Sequence, residues 1–96
     1  MKVLVTGAGG FVGRALLRAL DARHEAVAFD RDLAGAPGID GDLCDASALA
    51  RALATGCNAI VHLATVPGGA AEIDPALAWQ VNVDAMRTLF DAAARA

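Results

Sequence analysis

The chain has 96 residues, of which 56% are hydrophobic and 20% charged, and its formal net charge is −3 at pH 7. This length accommodates one domain at most. The acidic balance argues against nucleic-acid or anionic-membrane partners held by bulk electrostatics, and no apolar run approaches the length of a membrane span. Cys44 and Cys57 lack metal-ligand spacing. We therefore expect no metal site, and we interpret both as buried thiols of a cytoplasmic protein.

Short β-rich runs alternate with helical stretches along the whole chain. In order, the sequence predicts a strand at 2–6, a helix at 11–22, a strand at 26–29, a short third strand before Asp42, a helix to about Thr55, a strand at 59–63, a loop at 66–69 and a last helix from Asp74 to near the chain end. Asp45 and Asp74 are the expected helix N-caps, and Gly56 is the expected helix stop. This alternation predicts parallel βαβ units and an α/β fold with about four strands.

Apolar residues recur at helical spacing in the first and last helices and indicate the faces that pack on the sheet. They are Phe11, Leu16, Leu17 and Leu20 in the first helix, and Val81, Ala85, Leu89, Ala92 and Ala93 in the last. We interpret Trp79 and Phe90 as packing residues too, since aromatic side chains bury large areas. His62 ends an apolar strand, and we interpret it as structural rather than catalytic.

A glycine-rich loop, TGAGGFVG at residues 6–13, joins the first strand to the first helix. Gly7 permits a tight turn, Gly10 lets the backbone approach a pyrophosphate, and Gly13 lets the helix and the strand approach each other. The free N–H groups at the N-terminus of the helix then face the phosphates. Because the loop follows a strand and opens a helix, it predicts a dinucleotide-binding site.

Asp30 ends the second strand, twenty-three positions after Gly7. A carboxylate at this point is able to accept hydrogen bonds from adenosine-ribose hydroxyls, and it repels the 2′-phosphate of NADP. Asp30 therefore favours NAD. The neighbouring Arg31 leaves NADP open as an alternative, because a guanidinium is able to hold a phosphate. The other interpretation of Asp30 is a solvated turn residue.

Four segments resemble, in order, the extended short-chain dehydrogenase/reductases, the NAD-dependent epimerase/dehydratase group. Residues 6–13 match that family's TGxxGxxG loop, and residues 41–45 (GDLCD) match its GDLxD segment. Residues 62–65 (HLAT) match its HLAA segment, with Thr65 in place of the last alanine. Residues 82–86 (NVDAM) resemble its NVxGT segment, with Ala85 and Met86 in place of Gly and Thr. Residues 66–82 look most like those of D-erythronate dehydrogenase-like members.

The resemblance implies a Rossmann-type doubly wound parallel sheet and a cofactor role for each matched position. Besides the three glycines, it places Phe11 and Val12 by the pyrophosphate. It places Asp30 and Arg31 by the adenosine ribose, and Asp42 and Leu43 around the adenine. It also places Leu63, Ala64 and Thr65 along the path to the nicotinamide ribose, with Asn82 supporting that path from the last helix. In this interpretation the Asp42 carboxylate accepts a hydrogen bond from the adenine amine.

The resemblance also implies that catalysis uses a Tyr-x-x-x-Lys pair on a later helix, with the tyrosine as acid or base and the lysine lowering its pKa. The 96 residues contain no tyrosine, and their single lysine is Lys2. We therefore expect residues 1–96 to be the N-terminal cofactor-binding segment of an enzyme, inactive without the catalytic and substrate-binding portion. We also expect the fourth strand to present an unpaired edge prone to self-association. A homodimer through the last helix is a further expectation from the family.

Three functions remain open from the sequence. The leading one is the NAD(P)-binding portion of an oxidoreductase that acts on a sugar-like or hydroxy-acid substrate. The second is a non-catalytic dinucleotide-binding module that senses NAD(H) or serves as an interaction domain. The third is an S-adenosylmethionine-binding methyltransferase, whose glycine loop and acid look similar. The GDLxD, HLA and asparagine segments argue against the third.

Overall fold

The computed structural model describes residues 1–20 and 23–95, which form a parallel sheet with helices on both faces. The predicted end of the first helix, at residues 21–22, lies outside the described residues. The elements are β1 (Lys2–Thr6), α1 (Phe11–Leu20), β2 (Glu25–Asp30), β3 (Ile39–Asp40), α2 (Ala46–Leu53), β4 (Ala59–His62), α3 (Gly68–Ile73), α4 (Pro75–Trp79), a π-helical turn (Gln80–Ala85) and α5 (Met86–Arg95).

The sheet has four parallel strands in the order β3–β2–β1–β4. β1 is central, and its residues from Val3 to Thr6 are buried. A parallel strand covered on both faces requires a continuous apolar run, which the sequence of β1 supplies. Because β2 and β4 lie on opposite sides of β1, the direction of the crossovers reverses there. In open parallel sheets, such a reversal opens a crevice at the carboxyl ends of the strands.

Helices cover both faces of the sheet. Leu4 of β1 lies in one apolar cluster with Leu49 of α2 and Leu89 of α5. Val3 and Val5 lie in a second cluster, against which the three leucines of α1 pack. Alternate residues of β1 therefore enter opposite clusters, as the two-residue period of a strand requires. This is the doubly wound α/β arrangement that the sequence predicts.

The predicted ends of the helices are set by local hydrogen bonds. The Asp45 carboxylate accepts the Ser47 N–H at 2.9 Å, and the Asp74 carboxylate accepts the Leu77 N–H at 3.1 Å. Each such cap contributes about 1 kcal/mol to stability. Gly56, which follows α2, has a φ of +80°, the left-handed conformation in which many helices end. The two N-caps and the helix stop predicted from the sequence are confirmed.

Several predicted burials are wrong. Phe11 is 86% exposed and Trp79 62%, and Cys44 is exposed as well. Phe90 is 49% exposed but packs edge-to-face on His62, as a packing residue does. Helical spacing identifies an apolar face but does not say how far the sheet beneath it extends, and Phe11 lies beyond the end of β1. The segment predicted as a loop at 66–69 also differs, because α3 begins at Gly68.

β4 is the last strand at one edge of the sheet. Within residues 1–20 and 23–95, β4 pairs with β1 alone, so its other edge is unpaired. Over the same residues, no helix combines the length and apolarity needed to cross a membrane. Self-association through the β4 edge stays a prediction.

A tight turn at residues 33–36 contains an unfavourable backbone conformation. Its two central residues, Ala34 and Gly35, have φ values of +52° and +84°, and the Ala36 N–H donates to the Leu33 carbonyl at 3.0 Å. Positive φ values at both central positions match a turn that favours glycine or asparagine. Alanine in a left-handed conformation costs about 1 kcal/mol or more.

We predict that Ala34→Gly stabilises the fold by roughly 0.5–1 kcal/mol, because it relieves this cost against a smaller loss of chain entropy. Urea unfolding followed by circular dichroism measures the change. Ala50→Gly is the matched control: Ala50 is exposed within α2, and the same substitution there is expected to destabilise by about 1 kcal/mol. Equal destabilisation by both variants would contradict the strain at Ala34.

Candidate functional site

A cleft of about 480 Å³ opens at the carboxyl ends of β1, β2 and β4. It is lined by twelve of the thirteen residues predicted from the sequence to bind a cofactor: Gly7, Gly10, Phe11, Val12, Gly13, Asp30, Arg31, Asp42, Leu43, Leu63, Ala64 and Thr65. The cleft lies at the crossover reversal beside β1, where ligands bind in open parallel sheets. The sequence motifs, which are far apart along the chain, therefore meet at one place.

Two glycines of the glycine loop are required by the packing of the protein itself. Gly7 has a φ of +69°, and a Cβ built on it lies 2.7 Å from the Ala64 nitrogen. A Cβ on Gly13 lies 2.3 Å from the Gly7 oxygen. Any side chain at these positions forces the backbone that follows β4, or the glycine loop itself, to move. These contacts give the tight turn and the close approach of helix and strand that the sequence predicts.

Gly9 is a third constrained glycine, to which the sequence motif assigns no role. A Cβ built on Gly9 lies 1.8 Å from the Asp32 oxygen, which leaves no room for a side chain. The Gly9 N–H donates to Asp30 Oδ2 at 2.9 Å. This contact joins the glycine loop to the end of β2. Sequence spacing does not reveal it, because the loop that closes against Gly9 is irregular.

Gly10 differs from its neighbours. It is exposed, and the nearest atom to a Cβ built on it is the Gly7 oxygen at 3.4 Å, an ordinary contact distance. Its φ lies outside the left-handed region. Neither internal packing nor backbone conformation therefore accounts for a glycine here. Gly10 faces the cleft at the N-terminus of α1, where unpaired N–H groups and the positive end of the helix dipole favour an anion.

Asp30 is held in a fixed orientation by backbone donors. Besides the Gly9 N–H on Oδ2, the Asp32 N–H donates to Oδ1 at 3.1 Å. A carboxylate has about four lone-pair positions, so two remain for further donors. Asp30 is half-buried at the cleft, and Arg31 beside it is exposed. Because the Asp32 N–H lies two residues on, its bond to Oδ1 is also that of an Asx turn, so both interpretations of Asp30 stay predictions.

The opposite side of this end of the cleft comes from the GDLCD segment. Gly41 packs closely, since a Cβ on it lies 2.6 Å from the Ala48 Cβ. Asp42 is exposed, and its Oδ1 accepts the Cys44 N–H at 2.9 Å. Leu43 is buried and offers an apolar surface. Among the described residues, the second oxygen of Asp42, Oδ2, accepts no backbone N–H.

A buried hydroxyl fixes the β4 side of the cleft. Thr6 is fully buried, and its Oγ1 lies 2.6 Å from His62 Nδ1. The same oxygen accepts the Leu63 N–H at 3.1 Å and the Ala64 N–H at 3.3 Å. Burial lowers the pKa of His62 from its ordinary value of 6.5. The imidazole also packs edge-to-face on Phe90, with the ring centroids 5.9 Å apart. The structural interpretation of His62 fits these contacts.

Asn82 lies behind the cleft and does not line it. Its Oδ1 accepts the Thr65 hydroxyl at 3.0 Å and the Val66 N–H at 2.8 Å. Its Nδ2 donates to the Val66 carbonyl at 3.0 Å. Asn82 belongs to the π-helical turn, a widened helix segment that often occurs at functional sites. Asn82 therefore holds Thr65 and Val66 without lining the cleft, and its support of a bound cofactor stays a prediction.

Six lining residues are missed by sequence reasoning: Phe29, Gly41, Val66, Pro67, Leu77 and Val81. Four of them, Val66, Pro67, Leu77 and Val81, come from the loop after β4 and the helices that follow. From the sequence, residues 66–69 are expected to form a loop, and Val81 is expected to lie on the helix face packed on the sheet. The signal available was the apolar character of Val66 and Pro67 directly after the HLAT segment.

The cleft has chemically distinct ends. Its titratable lining side chains, among the described residues, are Asp30, Arg31 and Asp42, and all three lie at the β2–β3 end. The end beside β4 is lined mainly by apolar side chains, with the Thr65 hydroxyl. The middle presents glycine backbone. This arrangement suits an elongated ligand with a polar nucleoside end and a central anion, and it supplies no proton-transfer pair.

The comparisons with known proteins agree with this geometry. D-erythronate dehydrogenase of Cupriavidus necator is 38% identical over 109 residues, which cover 95% of this chain and 34% of that protein. A short-chain dehydrogenase/reductase superfamily protein from Agrobacterium tumefaciens, crystallised with bound NAD, has a TM-score of 0.86 at 36% identity over 97% of this chain and 29% of its own.

UDP-glucose 4-epimerase of Thermus thermophilus, in complex with NAD, has a TM-score of 0.85 at 29% identity over 96% of this chain and 33% of its own. The chain therefore spans about a third of the length of the relatives it matches. The family model described as "NAD dependent epimerase/dehydratase family" matches residues 3–96. With nearly the whole sequence matched and the fold shared with these structures, the chain belongs to the NAD dependent epimerase/dehydratase family.

Proposed function

We propose that the cleft binds NAD and that the chain is the cofactor-binding portion of an oxidoreductase. This proposal rests on the glycine at position 10. The packing of the protein itself does not require a glycine there, whereas a pyrophosphate bound at the N-terminus of α1 does. The family and the NAD-bound relatives support it. The residues that we propose to hold the cofactor are the thirteen predicted from the sequence, with Asn82 acting through Thr65 and Val66.

The fit of the adenosine end supports NAD in preference to NADP. The Gly9 and Asp32 N–H groups hold the Asp30 carboxylate at the cleft and leave lone pairs for the ribose hydroxyls. Because both of its oxygens are hydrogen-bonded, this carboxylate does not rotate away to make room for a 2′-phosphate. The exposed Arg31 guanidinium is the feature that favours NADP, and we propose that the anchored Asp30 outweighs it.

The substrate is proposed from the relatives and from the chemistry of the family. D-erythronate dehydrogenase and UDP-glucose 4-epimerase, by their names, act on a sugar acid and a nucleotide sugar. We propose a sugar-like or hydroxy-acid substrate for a longer protein that contains this chain. NAD supplies hydride transfer when bound. The 96 residues contain no tyrosine and a single lysine, Lys2, so we propose that these residues alone bind the cofactor without turnover.

The alternative function is a non-catalytic dinucleotide-binding module. It shares the cleft and the cofactor, and it differs in requiring no substrate site. The exposed aromatic side chains Trp79 and Phe90 favour a protein partner on the helices after β4. A homodimer through these helices and a cytoplasmic location both stay predictions.

Binding of NAD to the 96-residue chain is the first test. We expect isothermal titration calorimetry to show one NAD site per chain and weaker binding of NADP. Asp30→Ser is expected to reduce the difference in affinity between NAD and NADP, because it removes the charge that repels the 2′-phosphate. Tighter binding of S-adenosylmethionine than of NAD would instead support the methyltransferase alternative. Absence of NAD binding to the folded chain would reject the proposed function.

Gly10→Ala provides the sharper test of the pyrophosphate position. We expect the variant to fold with the stability of the wild type, since a Cβ there meets no atom closer than 3.4 Å. NAD affinity is expected to fall by roughly tenfold or more, equivalent to about 1.4 kcal/mol, because the methyl group occupies space beside the phosphates. Gly69→Ala is the matched control, because a Cβ on Gly69 meets no atom within 4 Å and Gly69 does not line the cleft. Equal NAD affinities for the two variants would count against the assigned position.

Asn82→Ala tests the support from the π-helical turn. The variant loses three hydrogen bonds to Thr65 and Val66, so we expect weaker NAD binding and faster amide hydrogen exchange at Val66. Thr88→Ala is the comparison variant, because it removes a single bond from a side chain to the Asp84 carbonyl on the same helical segment. If Asn82→Ala exchanged at Val66 as slowly as wild type, the support would not come from this side chain.

A further inference from the structure

The hydrogen bonds around Thr6 connect a titratable ring to the wall of the cleft. Thr6 Oγ1 is the common partner of the Leu63 and Ala64 N–H groups and of His62 Nδ1. Leu63 and Ala64 line the cleft, whereas His62 does not. The hydroxyl is inside the sheet with no exposed surface, so it has no water to replace a lost partner.

The donors around this oxygen favour one state of the imidazole. The Leu63 N–H is shared between Thr6 Oγ1 and the Thr6 carbonyl oxygen, each at 3.1 Å, and the Ala64 N–H donates to Oγ1 at 3.3 Å. The arrangement that leaves these bonds undisturbed has the hydroxyl hydrogen pointing to His62 Nδ1, which accepts it. Such an arrangement requires a neutral ring with its proton on Nε2. A protonated ring carries a hydrogen on Nδ1 as well, and this third donor competes with the Leu63 and Ala64 N–H groups for the same oxygen.

Within residues 1–20 and 23–95, His62 forms no salt bridge and no hydrogen bond with a charged side chain. The ring contacts Thr6 from β1 and Phe90 from α5, and neither is titratable in the physiological range. Burial is the single cause of the lowered pKa of His62 among the described residues, with no contribution from a carboxylate or a cation. Protonation therefore brings an uncompensated charge and an extra donor to the same place.

We propose that His62 is a pH-sensitive positioning residue whose protonation weakens dinucleotide binding by loosening the Leu63–Ala64 backbone from Thr6. The inference rests on the proposed function of the cleft. The disturbance reaches the glycine loop directly, because the Ala64 nitrogen lies 2.7 Å from the place of a Cβ on Gly7. A shift of the Ala64 backbone therefore changes both the β4 wall and the turn that precedes the phosphate site.

The direction of the effect follows from linkage. The neutral ring is the form that supports the cleft, so binding is strongest above the ordinary pKa of 6.5 and weakens as pH falls through the lower pKa of folded His62. Because coupling is reciprocal, bound dinucleotide depresses the pKa of His62 further. The loss of affinity is tenfold for each unit by which binding lowers that pKa.

The experiment measures NAD affinity of the 96-residue chain by calorimetry at about pH 7.5 and about pH 5.5. We expect wild-type affinity to be lower at the more acidic pH. His62→Asn places an amide oxygen near the Nδ1 position and does not titrate. Its NAD affinity, whatever its absolute value, is expected to be the same at both pH values, so the slope of affinity against pH is lost. His24→Asn is the matched control, because His24 lies before β2 and away from the cleft, and it is expected to keep the wild-type slope.

A second measurement does not need the ligand. In the cofactor-free wild type, the amide nitrogen signals of Leu63 and Ala64 are expected to shift with the titration of His62 in nuclear magnetic resonance spectra. Signals that stay constant through that titration, or a His62→Asn variant with the wild-type slope, would overturn the inference. A chain that fails to bind NAD at any pH would reject the proposed function, and the amide titration would still decide whether His62 controls the wall.

Discussion

The close approach of backbone segments at the carboxyl ends of β1, β2 and β4 is the constraint on which the site depends. Gly7 meets Ala64, and Gly9 meets Asp32, at distances that exclude a side chain. These approaches bring the loops after β2 and β4 against the glycine loop, which itself follows β1. The middle of the cleft is consequently formed by main chain whose conformation these contacts fix. Backbone geometry of this kind preorganises a site for an extended ligand and reduces the ordering cost of binding.

The charges of the cleft also indicate that oriented backbone groups, rather than bulk charge, receive the ligand. The chain has a net charge of −3, and the cleft carries two carboxylates against one guanidinium. An anionic ligand is therefore not attracted by bulk charge. Its phosphates are proposed to be received by the N-terminus of α1, whose unpaired N–H groups act over a short range and are oriented before binding. The carboxylates Asp30 and Asp42 are proposed to serve the nucleoside, where they accept hydrogen bonds rather than balance charge.

Much of the fold and most of the cleft could be predicted from the sequence, because the signals there are local. The apolar run of β1, the caps at Asp45 and Asp74 and the glycine spacing each act through neighbouring residues. The exposed positions of Phe11 and Trp79 could not be predicted, since helical spacing does not reveal where the sheet ends. The roles of Gly9 and Val81 also depend on contacts between irregular segments, which leave no periodic pattern. Helix α3 was missed because two glycines and a proline usually indicate a loop.

Two supports hold the β4 wall of the cleft, and they differ in kind. Thr6 and His62 secure Leu63 and Ala64 from within the sheet, whereas Asn82 secures Thr65 and Val66 from the π-helical turn. An amide does not titrate, so the outer support is constant across pH, while the inner one depends on a neutral imidazole. The π-helical turn costs regular helix hydrogen bonding, yet it lets Asn82 reach the loop while Ala85 and Leu89 stay in the core. A regular helix would rotate either the amide or the core residues out of place. The irregular turn is thus the means by which one helix serves both the core and the cleft.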